Sequence, residues 1–368
     1  LAYRISLLPL YFIFFETFFL QFDSKLDVHT VNSSYFRRKR LNMERIIEHV
    51  LTLPEEISTG SFEGKIAFMY SEQLTNWDMA RNHYRHFESV ERRVISAGDF
   101  SFIVQHNPAR ARSTCADLSA KTIETRKCFL CSHHLPQAQK GLIIKDKYLL
   151  LVNPFPIFDR HITISDFNHC PQRIDGRIID MLEMAALLPQ FTVFYNGPFC
   201  GASAPDHFHF QAAQKGIMPV DSEVSRIDSS RKRIFVGEKS DVQVYELIDY
   251  LRTAIVMESQ WKEPIDYCFA RLMENLPQNA EAGEPLMNLI ASYTDGVYRL
   301  IVFPRKAQRP SCYYAVGDER IIVSPASVEL GGIIVTPREE DFRRLTLDDL
   351  KKIFDEVSLK VSFKNFVW

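Results

Sequence analysis

The sequence predicts an α+β fold: antiparallel sheets with flanking helices, set out as two related half-domains. Three patterns predict it. Apolar runs of strand length recur at 100–104, 148–152, 161–165 and 191–195. Between them, Ile174, Ile178, Met181, Leu182, Ala185 and Leu188 recur at helical spacing, so 172–188 reads as an amphipathic helix. A second strand-forming block begins near Tyr298, with strands expected at 299–303, 321–324 and 333–336. The two blocks read as two copies of one unit, the second lacking a histidine pair that the first carries.

Taken in order, residues 1–42 are expected to be an extension outside the native fold. The run 8–22 is very apolar but is interrupted by Glu16, and it is shorter than the ~20 residues a membrane helix needs. Met43 follows the basic run Arg37-Arg38-Lys39-Arg40 and opens a better-patterned segment, so it is read as the natural start, with a membrane anchor as the minority reading. Residues 43–99 form a helical lead-in anchored by Leu51, Ile57, Phe62 and Phe68. Residues 100–215 make the first half. Tyr148 to Val152 is almost wholly apolar, a strand buried on both faces. Residues 216–290 are expected as a helical connection, with 242–257 its best helix. Residues 291–368 make the second half, closed by the capping signature Thr346-Leu347-Asp348-Asp349 and a helix to about 360.

Composition narrows the function. The 368 residues are 46% hydrophobic and 24% charged, which suits a globular protein with two core-bearing units. A net charge of −2 gives no global basic field for nucleic acid or an anionic membrane, so any phosphate recognition is local. Seven cysteines, an odd number in a chain this long, argue for a reducing compartment, and the body of the protein reads as cytoplasmic.

The most informative stretch is His207-Phe208-His209-Phe210-Gln211. In an extended strand, alternate side chains share a face. The two phenylalanines can therefore anchor a core while His207, His209 and Gln211 face a pocket. A neutral imidazole is a nucleophile toward phosphorus and a zinc ligand. Glutamine can donate to a phosphoryl oxygen but cannot act as a general base. The preceding loop, 196–206, is rich in small and turn-forming residues, which lets backbone N–H groups approach an anion. The plainer alternative is a pair of ordinary surface or core histidines.

Cys128-Phe129-Leu130-Cys131 offers two thiolates to one metal. The remaining ligands are sought among His106, His133, His134, His161, His169, Cys170 and His207. The preferred set is Cys128, Cys131, His161 and His207, which would tie three segments together. Buried thiols without metal are the alternative. A redox pair is disfavoured because the knuckle does not open a helix after a strand.

Together, Cys128 and Cys131, His161, and Asn196 followed by His207-x-His209-x-Gln211 resemble the transferase branch of the histidine-triad superfamily. That branch holds galactose-1-phosphate uridylyltransferase, diadenosine tetraphosphate phosphorylase and the GDP-hexose phosphorylases. The loop 196–206 is similar to that of the diadenosine tetraphosphate phosphorylases, with Gly-Pro after Asn and Asp before the first His. The stretch 107–112 is similar to an arginine segment that touches phosphates, and 324–332 to the C-terminal half of the GDP-hexose phosphorylases. Phe208 stands where the uridylyltransferases carry proline, and no hexose-binding residues are identifiable.

The resemblance implies histidine-triad-like sheets and a nucleotidyltransferase working through a nucleotidyl-histidine on His209. It implies that Gln211 holds a non-bridging oxygen and that Gly201, Ser203 and the loop amides stabilise charge. Asn196 would meet the ribose or phosphate, and Arg110, Arg112 or Arg305 would neutralise phosphate. One structural zinc per chain is implied. The expected substrate is a nucleotide sugar or dinucleoside polyphosphate, with inorganic phosphate or a sugar 1-phosphate as acceptor. A hydrolase of the same fold and a non-catalytic nucleotide- or zinc-binding protein are the competing readings.

Overall fold

Ten antiparallel strands form one continuous sheet, and the order of those strands exposes an internal repeat. The structure is a computed structural model and describes residues 43–111, 120–236 and 240–360. The extension 1–42 and Arg112 lie outside the described residues. In the lead-in, α1 (Phe62–Asn76) and α2 (Asp78–Glu88) precede a hairpin of β1 (Glu91–Ala97) and β2 (Phe100–His106). The Ser61 side chain caps α1 by accepting from the Gly64 N–H at 3.1 Å.

The first half follows: β3 (Gly141–Ile144), β4 (Tyr148–Val152), β5 (His161–Asp166), α3 (Ile178–Leu187), β6 (Phe191–Asn196) and β7 (His209–Gln214). After α4 (Pro219–Arg226), the second half has β8 (Lys232–Val236), β9 (Gln243–Leu247), β10 (Ile255–Ser259) and α5 (Lys262–Asn275). A two-residue ladder of β11 (Gln278–Asn279) and β12 (Glu284–Pro285) leads to β13 (Met287–Thr294) and β14 (Val297–Pro304). The chain ends in α6 (Ser327–Leu330), β15 (Ile333–Thr336), α7 (Glu339–Arg344) and α8 (Leu347–Val357).

The sheet order is β3-β4-β5-β7-β6-β13-β14-β10-β9-β8. Read inward from either edge, each half has the same connectivity, with its fifth strand inserted between its third and fourth. Each half also places its helix, α3 or α5, between the third and fourth strands. The halves meet where β6 pairs antiparallel with β13, from Asn196↔Asn288 to Val193↔Ala291. β15 pairs parallel with β2, so the second half also completes the small sheet begun by β1 and β2.

One face of the large sheet packs on α1, α3 and α5 through Phe208, Phe210, Leu150, Val244 and Met257. The other packs on β2, β15 and α8 through Phe194, Ile301, Phe303, Phe102 and Phe354. Both faces are apolar, which is why the strands read as near-continuous hydrophobic runs. The capping box expected at Thr346 is present: its side chain accepts from Asp349 N, and Asp349 reaches back to Thr346 N.

Three expectations change. The stretch 242–257 is two strands, β9 and β10, rather than a helix. Asp249 (φ 56°) and Leu251 (φ 61°) break it in the left-handed region, and the β-branched Val244, Ile255 and Val256 pack on alternate faces of the sheet. The connection 216–290 thus supplies three strands of the second half, and the helix lies just beyond, at α5. The strand expected at 321–324 joins no ladder; Ile321 N donates to Cys312 O and Ile322 N to the Asp341 carboxylate. The lead-in ends in strand β1 rather than helix. Among the described residues, no helix is long and apolar enough to cross a membrane.

The seam between the halves is polar and buried. Arg305, 2% exposed, donates to Asn288 Oδ1 and to the carbonyls of Pro325, Ala307, Gln308 and Val357. Asn288 Nδ2 donates to Asn196 Oδ1 at 2.9 Å and to Cys200 O at 2.7 Å. Replacing Arg305 with methionine keeps the aliphatic stem but leaves these acceptors without a donor. The expected cost is on the order of 3 kcal/mol or more. It should be read as a lowered urea midpoint with an unchanged slope, and an unchanged midpoint would show that the seam is not a stabilising feature.

Candidate functional site

The site is built where β7 begins, between β5 and β6. Phe208 and Phe210 are fully buried on the helix face of the sheet, packed edge-to-face with centroids 4.9 Å apart. That anchorage turns His209 and Gln211 to the opposite face, as strand alternation requires. His209 pairs with Ser165 of β5, and Gln211 pairs with Thr163 of β5 and Phe194 of β6. His207 precedes the strand rather than opening it.

His209 is held by its backbone and by one ring nitrogen. Its N–H donates to Gln172 Oε1 at 2.8 Å, and Gln172 Nε2 donates to the carbonyls of His209 (2.9 Å) and Asn196 (3.1 Å). The ring Nδ1 lies 2.9 Å from the carbonyl oxygen of His207. A carbonyl only accepts, so Nδ1 carries the proton and Nε2 carries the lone pair. Nε2 makes no hydrogen bond among the described residues. Burial pushes the imidazole down to about 4, so the ring is neutral at ordinary pH.

Gln211 Oε1 lies 3.0 Å from His161 Nε2. His161 is fully buried between Phe158 and Phe194, and burial followed by the nearby Arg110 guanidinium pushes its pKa down to about 3. It therefore stands beside Gln211, not among the thiols, and the expectation that it ligates a metal is corrected. Its place at the far end of β5, paired with Ala213, separates it from the knuckle.

The cluster that could hold a metal ion is Cys128, Cys131, His169 and His207, with ligand atoms all within 4.8 Å of one another. His207 Nδ1 lies 3.3 Å from Cys128 Sγ, and His169 Nδ1 lies 3.2 Å from Cys131 Sγ. Hydrogen bonding from Cys131 and then from His207 holds the Cys128 thiol well below the usual range, favouring a thiolate. The other nitrogen of His207 reaches Asp166 O at 2.9 Å, so its Nδ1 is left free toward the sulfurs. Two sulfurs and two imidazole nitrogens suit a closed tetrahedral site. His169 was one of several histidine candidates in the sequence; only the turn after β5 shows that it reaches the knuckle.

The loop after β6 is shaped by close approach. Gly201 has φ +97°, and a Cβ there would sit 2.5 Å from the Ala326 Cβ. Only glycine fits, and the contact brings 325–329 of the second half against the loop. Ser203 lies in this loop, half-buried, with no hydrogen bond among the described residues. Asn196 Oδ1 accepts from Asn288 Nδ2 and from Ser327 N, both at 2.9 Å, so its oxygen is committed to the seam. Its Nδ2 makes no hydrogen bond among the described residues.

Arg110 is half-buried, donates to Phe155 O at 3.0 Å, and lies within electrostatic reach of His161 and Glu329. Arg305 is committed to the seam and does not face the site as a phosphate ligand, because both ends of its guanidinium are used there. Sequence reasoning missed Gln172 and Glu329. Glu329 is buried, accepts from Ala326 N at 2.9 Å, and burial pushes it up to about 7. Glu329 lies within the stretch 324–332 singled out above, but no local pattern marks it as a site residue; Gln172 reaches His209 only through the fold.

Comparisons with known proteins bear on the fold and on each half of the chain. Residues 69–214 match the family model of a domain of unknown function, DUF4922, and residues 227–366 match that of the GDPGP1-like C-terminal domain. The crystal structure of yeast Ap4A phosphorylase Apa2 in complex with Ap4A is similar at 15% identity over 80% of this chain and 97% of that one, with a TM-score of 0.54. The AMP complex of the same enzyme matches at 17% identity over 77% and 94%, with a TM-score of 0.49. No curated protein matches the chain. The chain thus has the fold of yeast Ap4A phosphorylase, and residues 227–366 are similar to the GDPGP1-like C-terminal domain.

Proposed function

We propose that the chain is a nucleotidyltransferase of the phosphorylase type, acting on a nucleoside-diphosphate sugar or a dinucleoside polyphosphate. The observation that carries this is His209: a neutral imidazole with Nδ1 locked to a carbonyl and a bare Nε2 beside a glycine-shaped loop. Nε2 attacks the α-phosphorus, an N–P bond forms, and the P–O bond to the leaving sugar phosphate or nucleotide breaks. An oxygen of inorganic phosphate then attacks the same phosphorus, the N–P bond breaks, and a nucleoside diphosphate leaves with His209 regenerated. Gln211 and the loop amides around Gly201 and Ser203 stabilise the charge that develops on the phosphoryl oxygens, and Arg110 supplies positive potential. The Cys128, Cys131, His169 and His207 set would hold a zinc whose role is architectural: it would fix His207, whose carbonyl orients His209.

Incubation with an α-labelled substrate of this class should leave an acid-labile, base-stable label on the protein, absent in His209→Ala. Because protonation of the nucleophile abolishes attack, the labelling rate should be flat above about pH 5 and fall as pH drops through about 4. A turnover-competent enzyme that traps no label under single-turnover quench would exclude the covalent route.

Gln211 cannot deprotonate water, so turnover should be slow in water alone. Adding inorganic phosphate or a sugar 1-phosphate should raise it by roughly 10²–10⁴, the usual worth of a general base. Equal rates with and without a phosphorylated acceptor would make the protein a hydrolase.

Purified protein should carry about one zinc per chain, as a closed four-ligand site does. Cys128→Ser and His169→Ala should each lower zinc content and thermal stability together, since the binding energy of such a site is also folding energy. Full-strength folding with no zinc in the wild type would remove the metal from the structure's account.

A further inference from the structure

We infer that His161 is a positioning residue that holds the Gln211 carboxamide with its NH2 group turned into the site. This rests on the reading of His209 as the nucleophile. The geometry starts from the 3.0 Å contact between His161 Nε2 and Gln211 Oε1. The His161 ring is fixed from both sides, with Phe158 edge-on at 5.4 Å and Phe194 stacked at 6.1 Å. Its other nitrogen, Nδ1, is buried and has no hydrogen-bond partner among the described residues.

The ring has a single proton to place, since burial and the neighbouring Arg110 guanidinium keep it neutral. A proton on Nδ1 would strand a buried N–H donor. A lone pair on Nδ1 strands only an acceptor, which proteins tolerate more readily. The proton therefore sits on Nε2 and is donated to Gln211 Oε1.

The Gln211 amide is then committed. Its oxygen faces His161, and its nitrogen makes no hydrogen bond among the described residues and faces the open side of the strand, which His209 shares. Two N–H donors point where phosphoryl oxygens would lie. Without the His161 donor the carboxamide can turn over, presenting its carbonyl oxygen to a phosphoryl oxygen and repelling it. His161 thus decides whether glutamine at this position helps or hinders phosphoryl transfer.

The test uses the full chain with His161→Phe, which keeps an aromatic ring between Phe158 and Phe194 but has no N–H. Formation of the His209 label should slow by roughly 10²-fold, the scale for losing one oriented donor, with nucleotide affinity little changed. His161→Gln, whose amide can restore an N–H, should recover part of the rate. His161→Phe combined with Gln211→Ala should be no slower than Gln211→Ala alone, because both remove the same interaction. Wild-type labelling rates in His161→Phe, or fully additive losses in the double variant, would overturn the inference. The tautomer itself is read independently by ¹⁵N spectra of histidine-labelled protein, with the His161 signals identified by their loss in His161→Phe. A proton on Nε2 is expected, and a proton on Nδ1 overturns the assignment whatever the enzyme does. A wild type that takes no label would fail the nucleotidyl-histidine reading alone, while the tautomer would still decide this one.

Discussion

The hydrogen-bonded seam between the two halves is the constraint on which the rest depends. Arg305 ties Asn288 to the carbonyls of Pro325, Ala307, Gln308 and Val357; Asn288 ties Asn196 and Cys200; Ser327 ties Asn196 and, through its hydroxyl, the Tyr195 carbonyl at 2.7 Å. Every one of these groups is buried or nearly so, where an unpaired donor or acceptor is costly. The network therefore has one satisfied arrangement. In that arrangement the end of β6, the glycine-shaped loop and α6 are held against one another, and the loop's conformation is set by the second half as much as by its own residues.

His209 is oriented by a chain of groups that each have a single option. Gln172 fills the hydrogen bonds of the His209 backbone and of the Asn196 carbonyl. The His207 carbonyl fixes the proton of His209. His207 is in turn fixed between the thiols and the Asp166 carbonyl. Orientation of this kind costs nothing at the moment of reaction, because the dipoles are already in place. It also links the thiol–imidazole cluster to the orientation of His209 through the His207 carbonyl.

The two halves of the repeat differ on the face that carries the candidate site. Both halves wind five strands in the same order around one helix. On the site face, however, β7 presents His209 and Gln211, while β14 presents Arg299, Ile301 and Phe303. Ile301 and Phe303 are buried in the second core cluster, and Arg299 is paired with Glu258. The second half has become packing: it supplies the seam, the strand β15 that completes the small sheet, and the Ala326 contact that shapes the loop.

How much was legible in the sequence follows from the range of the interactions involved. Strand alternation acts between neighbours, so Phe208 and Phe210 could be assigned to a core and His209 and Gln211 to a site from the residues themselves. The same holds for the capping box at Thr346 and the buried strand Tyr148–Val152, whereas the second half of the repeat begins at β8, within the stretch expected to be a connection. Where local signals conflicted, the reading failed: 242–257 has apolar residues that fit a helix, but it is buried on both faces of a sheet, where alternation vanishes. The choice of His169 over His161 beside the thiols, the commitment of Arg305 and Asn196 to the seam, and the role of Gln172 were decided only by the tertiary structure. Each depends on the distance between segments brought together by the sheet, such as Gln172 and His209 or Arg305 and Pro325, and no pattern along the chain encodes which side chains then come within hydrogen-bonding reach.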